Sequence, residues 1–332
     1  VSFKTRAPSF TTGVSFNVRP SVPDGKGRTP PLSNGNLMKP ALPVFVLIAS
    51  AVLWGMTWWP LQFFHAGGVE GIPLVLVGYG VVALALLPSL LRERKAWRGE
   101  SRFLWLMLLL GGWANLSFAS AMIYGEVVRA MMLFYLAPVW GVLGGRIFLG
   151  ETIDRARWAG VGLALLGAFL VLGGPVVFET VPSWLDLLAI SSGLAFALNN
   201  VTCRAAAHVP LMSKTAAMFI GCGLMAIVAM PLFAAELPDV SGSTWLWLVV
   251  FGLVWLLAAT LGTQWAVTHM EAGRASVLLI TELLAAVISA VVIGGESLSG
   301  GELAGGALIL AATLIEAKRA PDEPVVDAPA AY

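Results

Sequence analysis

Long apolar runs separated by short polar turns dominate the sequence between Pro40 and Arg319. A membrane-spanning helix needs about 20 predominantly apolar residues, and ten runs approach that length. Because the turns are short, the pattern predicts ten transmembrane helices with no soluble domain inserted. These spans, numbered 1 to 10, cover residues 42–64, 72–91, 103–123, 127–149, 156–174, 183–203, 212–234, 244–267, 274–294 and 302–318.

The composition agrees with this interpretation. Hydrophobic residues make up 58% of the 332 residues and charged residues 12%, with a mean hydropathy of +0.84. A soluble domain carries about 25% charged residues, so the apolar excess is expected to face lipid. We therefore predict an all-α integral membrane protein whose partner is the lipid bilayer. The net charge of +1 says nothing about nucleic acid, but the basic residues form only short loops and no basic domain, so no nucleic-acid partner is predicted.

Both ends of the sequence differ in composition from the apolar part. Residues 1–37 are rich in Pro, Ser, Gly and Thr and contain no run that could span a membrane, which is typical of disorder. We interpret 1–37 as a disordered or non-native N-terminal extension ahead of Met38; an organellar transit peptide is the alternative. Residues 320–332 are predicted to form a disordered cytoplasmic tail.

Positive residues predict the orientation, because Lys and Arg concentrate on the cytoplasmic side of membrane proteins. With the N-terminus inside, 19 of the 20 Lys and Arg residues lie inside and only Arg129 lies outside. The sequence therefore predicts a multi-pass protein of the cell (inner) membrane with both termini cytoplasmic.

An internal repeat relates the two halves of the chain at an offset of 145 residues, which aligns residues 126–138 with residues 271–283. Glu126 matches Glu271, Arg129 matches Arg274, and Gly150-Glu151 matches Gly295-Glu296. Each half then holds five spans, and an odd number inverts the second half in the membrane. Inverted repeats around a midplane site are common in secondary transporters; the alternative is a duplication retained for packing.

Three segments resemble the EamA-like branch of the drug/metabolite transporter (DMT) superfamily: residues 135–172, residues 278–315 and the Leu-Trp-Gly at 53–55. The resemblance implies ten helices in two inverted five-helix repeats, a central cavity, and export or exchange of small metabolites. It divides the chain into a first EamA-like repeat, 38–174, and a second, 175–319.

The two repeats differ at one position that matters for gating. The first half has Ala137-Pro138-Val139 where the second has Glu282-Leu283-Leu284. A proline inside a helix removes one backbone hydrogen bond and tends to kink the helix. We expect Pro138 to kink span 4 at a gating position, and span 9 to be straighter.

Polar and aromatic residues within five spans are the predicted lining of a substrate or coupling cavity. The alternatives are side-chain bonds that only join helices and, for Trp58, anchoring at the membrane interface. The candidates are Trp54, Thr57, Trp58, Asn115, Tyr135, Asn199 and Gln264.

Glu282 is the central candidate, because it is a lone carboxylate near the middle of span 9. Acids within a membrane usually face the bundle interior and mark ion or substrate paths. Two functional roles fit: a proton site that couples export to the proton gradient, and a partner for a substrate ammonium. The structural alternative is a neutral acid that hydrogen-bonds two helices.

Glycine-rich stripes mark spans 5 and 10, as in Gly160, Gly167, Gly305 and Gly306. Small residues let membrane helices approach closely, so we interpret the stripes as scaffold. A homodimer face is the alternative.

These features together predict a secondary transporter that exports or exchanges amino-acid-like metabolites by alternating access. Efflux of hydrophobic cationic drugs is one alternative, and a non-transporting membrane receptor or assembly protein is another. The scattered His65, His208 and His269, with Cys203 and Cys222 in apolar runs, predict no enzyme, no metal site and no cofactor.

Overall fold

All regular structure in the described part of the chain is helical. A computed structural model describes residues 41–125, 127–175, 181, 183–295 and 297–319. The predictions for 1–37 and 320–332, and the repeat matches of Glu126 and Glu296, lie outside these residues.

Among the described residues, eight α-helices form the first half. They are α1 (Leu42–Gly55), α2 (Trp58–Ala66), α3 (Gly71–Arg92), α4 (Arg94–Trp97), α5 (Ser101–Tyr124), α6 (Val127–Phe134), α7 (Ala137–Leu149) and α8 (Arg155–Val171).

The described part of the second half contains seven α-helices and one π-helical segment. They are α9 (Trp184–Ala205), α10 (Leu211–Leu232), α11 (Gly242–Val250), the π-helical segment Phe251–Leu256, α12 (Leu257–Thr268), α13 (Ala272–Leu279), α14 (Thr281–Val292) and α15 (Gly300–Ala317).

Nine helical units in the described ranges are long and apolar enough to cross a membrane. Helix α8, with 17 residues, is shorter than these nine. The chain is therefore a multi-pass membrane protein. The nine units are Leu42–Ala66, Gly71–Arg92, Arg94–Met122, Val127–Leu149, Trp184–Ala205, Leu211–Leu232, Gly242–Thr268, Ala272–Val292 and Gly300–Ala317.

Large apolar side chains cover the outer surface of the bundle. Phe45 is 66% exposed, Leu84 71% and Ile147 70%. Contiguous apolar surface of this kind is costly in water, and lipid removes that cost. The buried side of each helix instead packs against other helices, so the core lies between them.

The two repeats seen in the sequence also share backbone conformations and helix caps. Gly150 and Gly295, 145 residues apart, both have φ +70°, the left-handed conformation that favours glycine after a helix. Asp154 and Ser299, at the same offset, both cap the N-terminus of the helix that follows. The two halves therefore share local structure as well as sequence.

Helices from different halves pack closely against each other. Equivalent helices pair across the halves, α3 with α10 and α8 with α15, and α7 packs against α13. At the α8–α15 contact a Cβ on Gly167 would lie 2.7 Å from the Gly305 carbonyl oxygen. The glycine stripes are thus used between two helices of one chain.

Contacts between helix termini define two ends of the bundle. At the first, the Arg157 end, Glu151 after α7 meets the start of α13, and Arg157 in α8 meets Glu316 near the end of α15. At the second, the Arg129 end, Arg129 near the start of α6 pairs with Asp186 at the start of α9 at 2.9 Å.

Two of the membrane-spanning units are broken just ahead of a proline. Units α1–α2 and α6–α7 are interrupted at Met56-Thr57 and at Tyr135-Leu136. In each case the break lies within four residues before the proline, Pro60 or Pro138, which cannot donate a backbone hydrogen bond. Pro138 therefore lies in the first turn of α7, at the interruption of the unit Val127–Leu149, and its role in gating stays a prediction.

Span 9 is interrupted as well, although it lacks the proline: α13 and α14 are separated at Ile280, the repeat equivalent of Tyr135. Here three-residue bonds replace the α-helical ones: Ile280 N–H donates to Val277 O at 3.3 Å and Leu283 N–H to Ile280 O at 3.1 Å. The Thr281 hydroxyl also donates to the Leu278 carbonyl at 2.7 Å. A side chain that competes for a backbone carbonyl can disturb a helix without a proline.

Candidate functional site

The breaks in α6–α7 and α13–α14 meet at a small cavity in the interior of the bundle. Its wall includes Tyr135 and Pro138 from the first half and Ser276, Ile280 and Glu282 from the second. Backbone that leaves the α-helical pattern at membrane depth is tolerated where it is buried in protein or lines a cavity. The two breaks thus place equivalent parts of both repeats around one space.

Glu282 and Tyr135 are neighbours in this cavity. Both side chains line it and act on each other electrostatically, and Tyr135 is buried while Glu282 is half-buried. Glu282 lies in the first turn of α14, where the helix dipole favours a carboxylate. The break at Ile280 therefore places the acid in the first turn of a helix, beside Tyr135.

Two phenylalanine rings, one from each half, form another part of the wall. Phe134 lies with its ring centroid 5.5 Å from that of Tyr135 and 5.5 Å from that of Phe196. Both phenylalanines line the cavity with Glu282. A carboxylate beside aromatic faces suits an organic cation, because both attract positive charge.

The three candidates around the first break hold α1 and α2 to the second half. Trp54 Nε1 donates to Thr263 Oγ1 at 3.3 Å, and Trp58 Nε1 donates to Ser289 Oγ at 2.8 Å. Thr57 Oγ1 accepts from Trp255 Nε1 at 3.1 Å, and Trp255 lies in the π-helical segment. These bonds join helices in the conformation described.

Asn115, Asn199 and Gln264 form a second polar group, around Gly111 and Met218. Asn115 Nδ2 donates to the Gly111 carbonyl at 2.9 Å, and Asn199 Oδ1 lies 3.2 Å from where a Cβ on Gly111 would be. Gln264 Nε2 donates to Met218 Sδ at 3.4 Å, and Met218 packs against the same glycine. This group lies among α5, α9, α10 and α12.

The structure therefore divides the predicted site. Glu282, Tyr135 and Pro138 line one cavity. The three candidates of span 1 and the three of spans 3, 6 and 8 make helix-to-helix contacts elsewhere. Asn199 Oδ1 is buried with no hydrogen-bond partner among the described residues, which distinguishes it from the other candidates.

A buried ion network at the Arg157 end was missed by the sequence analysis. Arg157 is 1% exposed; Nη2 pairs with Glu271, Nη1 lies 3.9 Å from Glu151, and Nε lies 3.7 Å from Glu316. Glu316, itself 0% exposed, lies inside the last predicted span. A charge within a span usually faces the bundle interior, and that signal could have identified it.

Two acids at this end, Glu151 and Asp154, have pKa values that their surroundings shift in opposite directions. Burial raises the pKa of Glu151 above its ordinary range, while the backbone N–H groups of Ala272 and Gly273 oppose that rise. Asp154 is exposed, and the hydrogen bond from Arg319 lowers its pKa to about 2. The cysteines are free and buried, and the described residues include no group of three or more His, Cys, Asp and Glu suited to a metal.

The fold is that of a multi-pass membrane protein built by duplication, with a cavity where the broken helices of the repeats meet. The model of the EamA-like transporter family matches residues 41–173 and again residues 183–316. These matches cover most of the chain, which therefore belongs to the EamA-like transporter family, as the resemblance predicted.

Several relatives carry names from membrane transport. An "Uncharacterized transporter" of Vibrio cholerae serotype O1 is 31% identical over 160 residues, 45% of this chain and 51% of its own. A "Probable terminal-alkyne amino-acid exporter" of Streptantibioticus cattleyicolor is 31% identical over 159 residues, 46% and 52% respectively. The chain thus spans about half the length of these two relatives.

Two further similarities extend over more of the chain. A "Biotin transporter" of Salmonella typhimurium is 26% identical over 243 residues, which is 70% of this chain and 79% of its own. A crystal structure of a protein 21% identical in sequence aligns with a TM-score of 0.68 over 83% of this chain and 95% of its own. At that identity the alignment supports the fold alone.

Proposed function

We propose that this protein is a secondary transporter that exports or exchanges small metabolites bearing an ammonium group, in particular amino-acid-like compounds, across the cytoplasmic membrane. One observation carries the proposal: Glu282 and Tyr135 line one cavity where the broken helices of both repeats meet. An acid at membrane depth is costly unless it has a partner or a function.

The substrate class is inferred from the chemistry of the cavity wall. The Glu282 carboxylate is a partner for an ammonium group, and the rings of Phe134 and Phe196 beside it suit an apolar side chain or a cation. The name of the Streptantibioticus cattleyicolor relative, an amino-acid exporter, points to the same class.

The mechanism in this proposal is alternating access between two inverted five-helix halves. It takes the 17-residue helix α8 as a tenth span, because its equivalent and packing partner α15 is long enough to cross. An odd number of spans per half then inverts the repeat. The cavity at the two breaks would open in turn to each side.

The test uses a host that exports no amino acids of its own, with vector, the protein, and Glu282→Gln at matched membrane levels. The metabolites that appear in the medium are compared at two external pH values. We expect the protein to export one class of amine, and Glu282→Gln, which removes the charge and keeps the shape, to reduce that export about tenfold or more.

Glu100→Gln is the matched control, because Glu100 lies at the Arg157 end, far along the chain from the cavity, and is 32% exposed. Export by Glu282→Gln equal to that of the control would contradict a transport role for the acid. Export of quaternary ammonium dyes without amino acids would favour the drug-efflux alternative. Loss of pH dependence in a still active Glu282→Gln would assign the acid to proton coupling.

A further inference from the structure

Helices α6 and α13 are equivalent in the repeat but differ in burial. Each has eight residues and runs from one end of the bundle to the break beside the cavity. All eight residues of α13 are buried, whereas Ala130 alone is buried among the residues of α6 whose burial is described. The bundle is therefore closed around α13, at the Arg157 end, and looser around α6, at the Arg129 end.

The N-terminus of α13 is held by acids and bases from other helices. Glu151, in the connection from α7 to α8, accepts backbone hydrogen bonds from Ala272 at 2.7 Å and Gly273 at 3.1 Å. Glu271, the residue just before α13, pairs with Arg157 of α8. Three carboxylates in all surround that guanidinium, and the third, Glu316, belongs to α15.

A hydrogen bond within the second half also holds the start of α13. Arg274, in the first turn of α13, donates from Nη2 to the Ala317 carbonyl at the end of α15, at 3.2 Å. The start of α13 is therefore fixed to α15 through Arg274, to the α7–α8 connection through Glu151, and to α8 through Arg157. The other end of α13 reaches Ser276 and Ile280 at the cavity.

The same positions of the repeat carry different residues at the Arg129 end. The residue 145 positions after Arg157 is Glu302, and the residue 145 positions before Glu316 is Val171. The arginine and the buried acid that hold α13 therefore have no equivalents around α6. Arg129 pairs there with Asp186 at 2.9 Å, and each of the two side chains is 16% exposed.

We infer that Arg157 is a positioning residue for transport: it clamps the start of α13 against α8 and α15 and keeps the Arg157 end of the cavity closed. Opening of this end requires Glu271 to leave Arg157 and Glu151 to release the backbone N–H groups of Ala272 and Gly273. The bond from Arg274 to the Ala317 carbonyl must also break, so that α13 can move away from the α8–α15 pair. The inference rests on the proposed alternating access, and it adds which end is held and by which side chains.

The test follows access to one residue of α13. Ser276 is 5% exposed and lines the cavity, so Ser276→Cys places a nearly isosteric thiol there. A membrane-impermeant maleimide is applied to each face of oriented vesicles in turn. The unsubstituted chain supplies the background, because its Cys203 and Cys222 are both 0% exposed.

Glu271→Gln and Arg157→Gln are then added to the Ser276→Cys chain. We expect labelling from the Arg157 face to accelerate about fivefold or more, since the loss of the clamp shifts the population toward the open state. Labelling from the opposite face should not accelerate. Arg157→Lys, which keeps the charge without the planar fork, should give a smaller increase than Arg157→Gln.

Glu100→Gln serves as the control, because Glu100 forms an ion pair at the same end, 3.1 Å from Arg102, and does not contact α13. Unchanged labelling of Glu271→Gln overturns the inference. Faster labelling from both faces also overturns it, because that result means a loosened fold. If Arg157→Gln does not reach the membrane, Glu271→Gln, which leaves Arg157 two carboxylates, decides the question.

The labelling requires no substrate. A chain that exports no amino acid but shows one-sided acceleration would contradict the proposed substrate and support the clamp. A chain that exports amino acids but shows no acceleration would support the proposed substrate and contradict the clamp.

Discussion

Asp154 both caps a helix and forms an ion pair, and two substitutions separate these roles. Its Oδ1 accepts from the Arg157 backbone N–H at 2.8 Å and from Arg319 Nη1 at 2.9 Å. Asp154→Ala should lower the free energy of unfolding at pH 7 by about 1 kcal/mol, chiefly through the lost cap. Asp154→Ser keeps a capping oxygen and should lose less. Thermal unfolding in detergent gives both values.

The charge of Asp154 also predicts a pH dependence of stability. Because the bond from Arg319 lowers the pKa of Asp154 from 3.8 to about 2, its ionised form stabilises the folded state. That contribution is complete above about pH 4 and is lost as the pH falls through the folded pKa. The difference in melting temperature between the wild type and Asp154→Ser should therefore shrink between pH 4 and pH 2. A constant difference across that interval would rule out the ion pair as its source.

Single residues also show how far the sequence could predict the site. Glu282 was identified because a lone acid in an apolar run is unusual whatever the fold, and the structure places it at a cavity. Asn115 and Gln264 are also polar residues within apolar spans. The structure, however, pairs Asn115 with Tyr79 and Gln264 with Thr215, which lie on neighbouring helices. Helix periodicity indicates that a side chain faces inward, but the partner it meets depends on helix packing.

Among the helices, α8 and α15 offer a sharp test of close packing. A Cβ on Gly167 would meet the Gly305 carbonyl oxygen and Ile309 Cγ1, each at 2.7 Å, whereas a Cβ on Gly162, in the same helix, would meet nothing within 4 Å. Gly167→Ala should lower the free energy of unfolding by about 1–3 kcal/mol through overpacking. Gly162→Ala should be neutral or slightly stabilising, since alanine favours helix more than glycine does.

Thermal unfolding in one detergent compares the two variants. Equal melting temperatures would mean that α8 and α15 can separate at little cost, which contradicts their close contact. A higher oligomer in the wild type that Gly162→Ala alone disperses would instead favour the dimer face.

The broken helices show what the sequence could predict of an element. Pro60 and Pro138 mark two breaks, and the rule that proline disturbs the preceding turn accounts for their position. The break at Ile280 has no such marker. There, Gly55 of α1 places its backbone against the Glu282 carbonyl with no room for a Cβ, so packing from 227 residues earlier in the chain shapes the region. That contact joins two segments that are distant in the chain, so the local sequence does not predict it.

For the whole molecule, two glycines test the predicted orientation. A Cβ on Gly99, between α3 and α5 at the Arg157 end, would meet nothing within 4 Å, and the same holds for Gly242, at the start of α11 at the Arg129 end. If Lys and Arg mark the cytoplasmic side, Gly242→Cys should react with an impermeant maleimide on intact cells. Gly99→Cys should react only after permeabilisation. The reverse pattern would place the Arg157 end outside.

The whole architecture was the part most accessible from sequence. Span lengths follow from the bilayer thickness, and the offset of 145 residues reappears in the left-handed Gly150 and Gly295 and in the caps Asp154 and Ser299. The ion network around Arg157 was not predicted. Its members come from α8, α15 and two connections, and in the sequence Arg157 is only one of the positive residues that predict the orientation.

The unequal ends of this duplicated molecule bear on how it could work as a machine. If Arg157 holds one end shut, it lowers the free energy of the conformation that is closed at that end. The substrate-free protein then mostly adopts this conformation. A free-energy difference between two conformations supplies no free energy over a complete transport cycle, because the protein returns to the conformation from which it started. The product of the forward rate constants around the cycle therefore equals the product of the reverse rate constants at equilibrium. Such a clamp makes the two half-cycles differ in speed, while the net flow follows the substrate gradient and any ion that moves with it.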